Sequence, residues 1–148
     1  MSYQNFPGYA GDILAIDAYA LLKGDSTSAL IDVRTQAEWA YVGTPDIQAL
    51  GKMALFLEWQ SYPSMAVDAN FPARLEALLR SENVERGASL LFLCRSGARS
   101  RHAATAMTSA GWSPCFNVSD GFEGALDGSR RRGAVNGWKA GGLPWAQT

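Results

Sequence analysis

Cys94-Arg95-Ser96-Gly97-Ala98-Arg99-Ser100 is the stretch of this 148-residue chain whose residue types and spacing can do chemistry. It follows the apolar run Ser89-Leu90-Leu91-Phe92-Leu93 and opens a small-residue stretch, Arg101 to Ala110, that Gly111 closes. A short continuous apolar run reads as a buried strand, and an alanine-rich stretch ended by glycine reads as a helix. The cysteine therefore sits where a strand hands over to a helix. There the N–H groups of a tight loop and of the first helical turn point at whatever occupies the loop. Arg95 and Arg99 add positive charge, a setting expected to lower the thiol pKa and favour the thiolate. The chemistry predicted is that of a nucleophilic sulfur in an anion-binding cradle. Gly97 is expected to supply a backbone conformation that other residues resist. Arg95 and Arg99 read as recruiting an anionic donor. Ser96 and Ser100 either donate to a bound sulfur species or cap the helix, and the sequence leaves both open.

Other segments must position this loop. Met1 to Gly11, with Pro7 and two glycines, reads as a flexible surface arm. Ile13 to Leu22 offers Ile16, Tyr19 and Ala20 at helical spacing, with Gly24 just beyond. Ala29-Leu30-Ile31-Asp32-Val33-Arg34 reads as a second buried strand, and Thr35 to Tyr41 as a short helix with Thr35 and Glu38 forming a capping box. Lys52 to Leu57 is a third strand candidate. Asn70 is placed as the cap of a helix over Phe71 to Arg80, with Leu75, Leu78 and Leu79 facing the core. Cys115-Phe116-Asn117-Val118 reads as the last strand, ending at Asp120-Gly121. The glycine-rich remainder predicts irregular structure with one short helix near Gly137 to Ala140. Strands alternating with helices indicate an α/β fold with a largely parallel sheet, whose ligands bind beyond the carboxyl ends of the strands. Asp32, Trp59, Cys94 and Asp120 all fall at such ends, so they are expected to share one edge.

The composition sets the frame. One domain over 1–148 is expected, with 47% hydrophobic and 18% charged residues. A formal net charge of −1 argues against general nucleic-acid or membrane-surface binding. Cys94 and Cys115 make neither a disulfide framework nor a zinc-ligand spacing, and His102 is the sole histidine. No metal or organic cofactor is expected. With no basic-then-apolar leader pattern and no membrane-spanning run, a soluble cytoplasmic protein is expected.

Cys94 to Ser100 resembles the active-site loop of rhodaneses, sulfurtransferases that carry sulfur as a cysteine persulfide. Leu30-Ile31-Asp32-Val33-Arg34 with Glu38-Trp39 resembles the family's early signature. Asn117-Val118 through Gly121-Phe122 and the Gly137-to-Trp145 tail resemble its later segments. The likeness covers about Asp12 to Trp145. It implies a three-layer rhodanese-like fold, with a mainly parallel, roughly five-stranded sheet flanked by helices. It also implies a supporting role for Asp32 and Arg34, against the plainer alternatives of a surface ion pair or loop cap. The chain departs from the family at Tyr41-Val42-Gly43-Thr44-Pro45-Asp46 and in the longer segment holding Glu58-Trp59-Gln60. Arg130-Arg131-Arg132 also lies outside the pattern and reads as a solvated basic turn ahead of a docking patch. His102 is expected on a partly exposed helix, and Cys115 as a buried thiol.

The expected activity is transfer of a sulfane sulfur through a Cys94 persulfide, from an anionic donor such as thiosulfate to cyanide or a thiol. The alternatives are a sulfur-relay or sensing module docking on a partner protein, and, further off, a cysteine phosphatase or arsenate reductase. Cysteine phosphatases use a loop one residue longer between cysteine and arginine. Here four residues separate Cys94 from Arg99, and the smaller ring of N–H donors suits a single transferred sulfur. The partners expected are a small anionic donor, a thiophilic acceptor and a donor or acceptor protein, without nucleic acid or membrane.

Overall fold

The computed structural model describes residues 8–147. Leu90–Leu93 (β7) lies at the middle of a parallel sheet because an uninterrupted apolar run can be buried on both faces. Cys115–Val118 (β8) and Ala29–Asp32 (β2) flank it, and Gly11–Ile13 (β1) and Leu55–Phe56 (β4) form the edges, in the order β1-β8-β7-β2-β4. Every pairing in this sheet is parallel, with Ile31 opposite Phe92 and Leu91 opposite Phe116. Between β2 and β7 lie Gln36–Val42 (α2) and two short ladders' strands, Thr44–Pro45 (β3), Gln60–Ser61 (β5) and Ala66–Val67 (β6). The helix Phe71–Ser81 (α3) follows them.

Side chains alternate across the sheet and build two cores. On one face Ile31, Leu90 and Phe92 pack with Leu75 and Leu79 of α3 and with Ala103 and Met107 of Ala98–Ser109 (α4). On the other, Leu30, Leu91 and Leu93 pack with Ala15, Ala18 and Leu22 of Ala15–Gly24 (α1) and with Trp138 of Gly137–Ala140 (α5). The three layers and five strands match the expected fold class. The tail then closes on the body: Trp145–Ala146 (β9) pairs antiparallel with β3. Among the described residues, no helix is long and apolar enough to cross a membrane.

Four details differ from the sequence expectation. Over its described residues the supposed arm is packed: Tyr9 is buried, Ala10 N–H donates to Cys115 O, and Gly11 begins β1; residues 1–7 lie outside the description. Ile13 belongs to that strand, so α1 starts later and buries Ala15, Ala18 and Leu22 while Ile16 faces solvent. The third strand shrinks to Leu55–Phe56, because only Ile31 and Asp32 of β2 find partners there. Asn70 precedes α3 but makes no side-chain cap, the chain entering the helix through Pro72 instead.

Candidate active site

Cys94 follows β7 directly and is 1% exposed, at the floor of the loop. The Gly97 N–H donates to its Sγ at 3.1 Å, and Ser100 Oγ lies at the same distance. The first-turn N–H groups of α4 have no intrahelical acceptors, so the positive end of the helix faces the sulfur.

Backbone contacts fix the loop's shape. Gly97 has φ +107°, and a Cβ there would overlap the Ser119 carbonyl. Gly121 has φ +66°, and its Cβ would fall on the Arg95 carbonyl. Both positions demand glycine for conformation and space alike. The segment after β8 then holds the loop by its carbonyls: Phe122 N–H donates to Cys94 O (2.8 Å), and Glu123 and Gly124 donate to Arg95 O. Two backbones stacked without intervening side chains make one rigid unit.

The loop's two arginines part ways. Arg99 forks onto Glu38, with Nη1–Oε1 at 2.6 Å and Nη2–Oε2 at 2.9 Å, while Arg95 is exposed. Glu38 also accepts from the Thr35 N–H and hydroxyl, so the expected capping box is present and doubles as a tether from α2 to α4. Burial pushes the Glu38 carboxyl upward, but Arg99 and Thr35 outweigh it and bring the pKa down to about 2. Its folded-state pKa is thus depressed below the ordinary 4.5. The associated stability is fully present above that value and is lost as pH falls from there toward 2. Urea unfolding should show wild type about 2 kcal/mol more stable than Glu38→Gln near neutral pH. The gap should shrink on going to about pH 3; a gap independent of pH would exclude the ion pair as its source.

Ser100 opens a chain of polar groups that runs from the buried Asn117 out to the exposed Asp12. Its Oγ lies 2.5 Å from Asn117 Oδ1 as well as near Cys94 Sγ, and its single proton serves one of them at a time. Asn117 Nδ2 donates to Asp12 Oδ1 at 3.0 Å, which also accepts from the Tyr9 hydroxyl. Burial, followed by the hydrogen bond to Asp12, pushes Tyr9 up to about 12 and keeps it a donor. Sequence reading missed Asn117, whose one signal is a polar residue inside an apolar strand, and Asp12, which gives none.

The remaining expected residues fall as follows. Asp32 and Arg34 are both fully buried: Arg34 Nε and Nη2 donate to the Asp32 carboxylate, Nη2 also donates to Gly43 O at 2.8 Å, and the guanidinium lies 4.1 Å over the Phe122 ring. They therefore brace the residue whose N–H holds Cys94 O. Asp120 shares the carboxyl edge, but its two oxygens accept from Ala15 N–H and Gly137 N–H, starting α1 and α5. Trp59 follows β4, its N–H donating to Val33 O, and packs edge-on against Phe71. Ser96 and Ala98 lie on the loop, half-buried and exposed. His102 is exposed on α4. Cys115 is buried, its thiol donating to Trp112 O and its pKa pushed up by desolvation to about 11. It sits opposite Leu90, four residues before Cys94 on β7, hence about 13 Å away along the strand and beyond disulfide reach. Among the described residues no cluster of His, Cys, Asp or Glu could hold a metal.

Above the loop lies a cleft of about 730 Å³. The β5–β6 hairpin supplies Gln60 and nearby Met65, which puts the atypical segment after Asp46 to use as its wall. Arg95 and Arg99 line one side, and Leu126, Arg130 and Arg132 another.

This sheet and loop define a rhodanese-like α/β domain. Within that class the chain belongs to the STR4 middle domain family, whose profile matches residues 11–148. It is similar to Rv0390 from M. tuberculosis, at 44% identity and a TM-score of 0.84, over 95% of this chain and 99% of that one. It is similar in fold to the polysulfide-sulfur transferase homodimer of Wolinella succinogenes, with 21% identity, a TM-score of 0.58, and 98% and 83% of the two chains covered. The chloroplastic rhodanese-like domain-containing protein 4 of Arabidopsis thaliana is 26% identical over 90% of this chain, which spans 25% of that larger protein.

Proposed function

We propose that the protein is a sulfurtransferase working through a persulfide on Cys94. One observation carries this: the Cys94 sulfur sits at the N-terminal end of α4 with the Gly97 N–H and Ser100 hydroxyl on it, inside a loop one residue shorter than that of cysteine phosphatases. The likeness in fold to a polysulfide-sulfur transferase supports it.

The Cys94 thiolate attacks the outer sulfur of thiosulfate, forming a Cys94–S–S bond as the donor's S–S bond breaks and sulfite leaves with that electron pair. The anionic outer sulfur is stabilised by the fixed N–H groups and the helix end, as an oxyanion would be. Cyanide then attacks the outer sulfur, thiocyanate departs, and the Cys94 thiolate is restored. No net oxidation occurs in either half. Arg95, Ser96, Gly97, Ala98, Arg99 and Ser100 form the donor site, with Asp32 and Arg34 supporting it from beneath. The cytoplasm, where such small sulfur donors and thiols occur, is the proposed location.

Intact mass after incubation with thiosulfate should rise by one sulfur atom and fall back with cyanide. Cys115→Ala protein should behave the same, since that thiol is buried and remote from the loop. If Cys94→Ser protein gains the same mass, the mechanism is wrong. Slow loading by thiosulfate beside ready loading by a protein persulfide would mark a relay module. Steady hydrolysis of an aryl phosphate, lost in Cys94→Ser, would overturn sulfur transfer in favour of a phosphatase.

A further inference from the structure

Arg130 and Arg132 belong to a built structure rather than a loose basic turn. Asp127 Oδ1 accepts from the Ser129 and Arg131 N–H groups, Arg130 N–H donates to Asp127 O, and Asp127 N–H donates to Arg131 O. Arg130 holds φ +62°, a left-handed conformation unusual for a residue with a side chain. Arg132 Nη1 donates to Gly124 O at 2.7 Å, and Gly133 N–H to Glu123 O. Glu123 and Gly124 are the residues whose N–H groups hold Arg95 O. The turn is thereby hung on the same backbone that supports the Cys94 loop.

Its arginines face the cleft with Arg95 and Arg99, against the two carboxylates Glu38 and Glu123. Arg99 is neutralised by Glu38, so Arg95, Arg130 and Arg132 outnumber the one remaining carboxylate, Glu123, and leave a cationic excess. Thiosulfate is far smaller than this cleft, whose volume is in the range of about 300–1,000 Å³ that organic ligands occupy. Met65, Val42 and Leu126 add apolar wall between the charges. A row of guanidinium groups at a cleft mouth, some distance from the reacting sulfur, suits carboxylates carried on a carbon frame.

We propose that Arg130 and Arg132, with Arg95, form a second anion subsite that takes the carboxylates of an organic thiol acceptor bearing at least two of them. The proposal rests on the sulfurtransferase reading above. The acceptor's thiolate attacks the anionic outer sulfur of Cys94–S–S⁻; a new S–S bond to the acceptor forms, the Cys94 Sγ–S bond breaks, and the electron pair returns to Cys94. The organic persulfide leaves as its anion, RSS⁻.

The test uses full-length protein already loaded with sulfur by thiosulfate, with loading confirmed by intact mass. Discharge is timed with mercaptosuccinate, a dicarboxylate thiol, and with the uncharged 2-mercaptoethanol, in wild type and in Arg130→Gln, which keeps the Arg132 hydrogen bond to Gly124 O in place. The variant should discharge to mercaptosuccinate about tenfold more slowly, with 2-mercaptoethanol changed less than about twofold. Comparing each acceptor across the two proteins removes intrinsic thiol reactivity. Added salt should slow the reaction with mercaptosuccinate more in wild type than in the variant. Equal effects on both acceptors, or none, would overturn the subsite. Failure to load any sulfur would overturn the sulfurtransferase reading instead.

Discussion

Asp32→Ala protein is expected to lose about 3–5 kcal/mol of folding stability, the cost of stranding a buried charge. The side chains of Asp32 and Arg34 are 0% exposed, and Asp32 supplies the only carboxylate within ion-pairing distance of that guanidinium among the described residues. Removing it leaves the Arg34 cation desolvated between the Phe122 ring and the Gly43 carbonyl. For a domain whose whole stability is about 5–15 kcal/mol, that loss is a large share. Urea midpoints measure it. The cost lies in the uncompensated charge, so Asp32→Ala/Arg34→Met should lose less than the two single variants added together. Strict additivity, or a loss under about 1 kcal/mol for Asp32→Ala, would exclude a buried-charge origin.

Gly121→Ala should leave a folded protein whose sulfur uptake is slowed about a hundredfold, the usual scale for displacing reacting groups by an ångström. The new Cβ would land on the Arg95 carbonyl, and φ of +66° already disfavours it. The sheet and its two cores do not pass through this contact, so the strain is relieved by shifting the Cys94–Gly97 backbone. Far-UV circular dichroism should stay close to wild type, while single-turnover sulfur uptake, followed by mass, falls. A nearby control, Gly128→Ala, meets no atom within 4 Å and has an ordinary φ; it should be indistinguishable from wild type. Normal uptake by Gly121→Ala would show that the stacked backbones do not hold the loop.

The elements that the sequence made legible are those whose burial leaves a pattern. Leu90–Leu93 and Cys115–Val118 are buried along their whole length, and such runs stand out without any partner being known. The same holds for the capping box at Thr35, a purely local device. Gly11-Asp12-Ile13 carries no strand signature, because it becomes a strand only through the ladder that β8 offers. The same dependence hides the two-residue strands β3 and β9. At the site, the cysteine, its glycine and the arginines were legible from spacing. That Arg99 is spent on Glu38, 61 positions earlier, was not. Nor was the capping of two helices by Asp120, or the seating of the Arg130 turn beside the cleft. Each is a meeting of distant segments, which no window of sequence records.

The pairing of β1 with β8 has a consequence for the order in which the molecule is made. Asp12 and Asn117 are 105 positions apart, and β3 waits for β9 at the far end of the chain. Edge strand, tail clasp and the Tyr9–Asp12–Asn117–Ser100 chain therefore all close late, since widely separated contacts demand that long loops be shut first. During synthesis the Cys94 hairpin of strand and helix is present well before the backbone that must hold its carbonyls. The nascent domain thus carries the Cys94 loop unsupported until β8 docks and Phe122 to Gly124 follow it. Docking of β8 and completion of the Cys94 loop are therefore one step in the assembly of the fold.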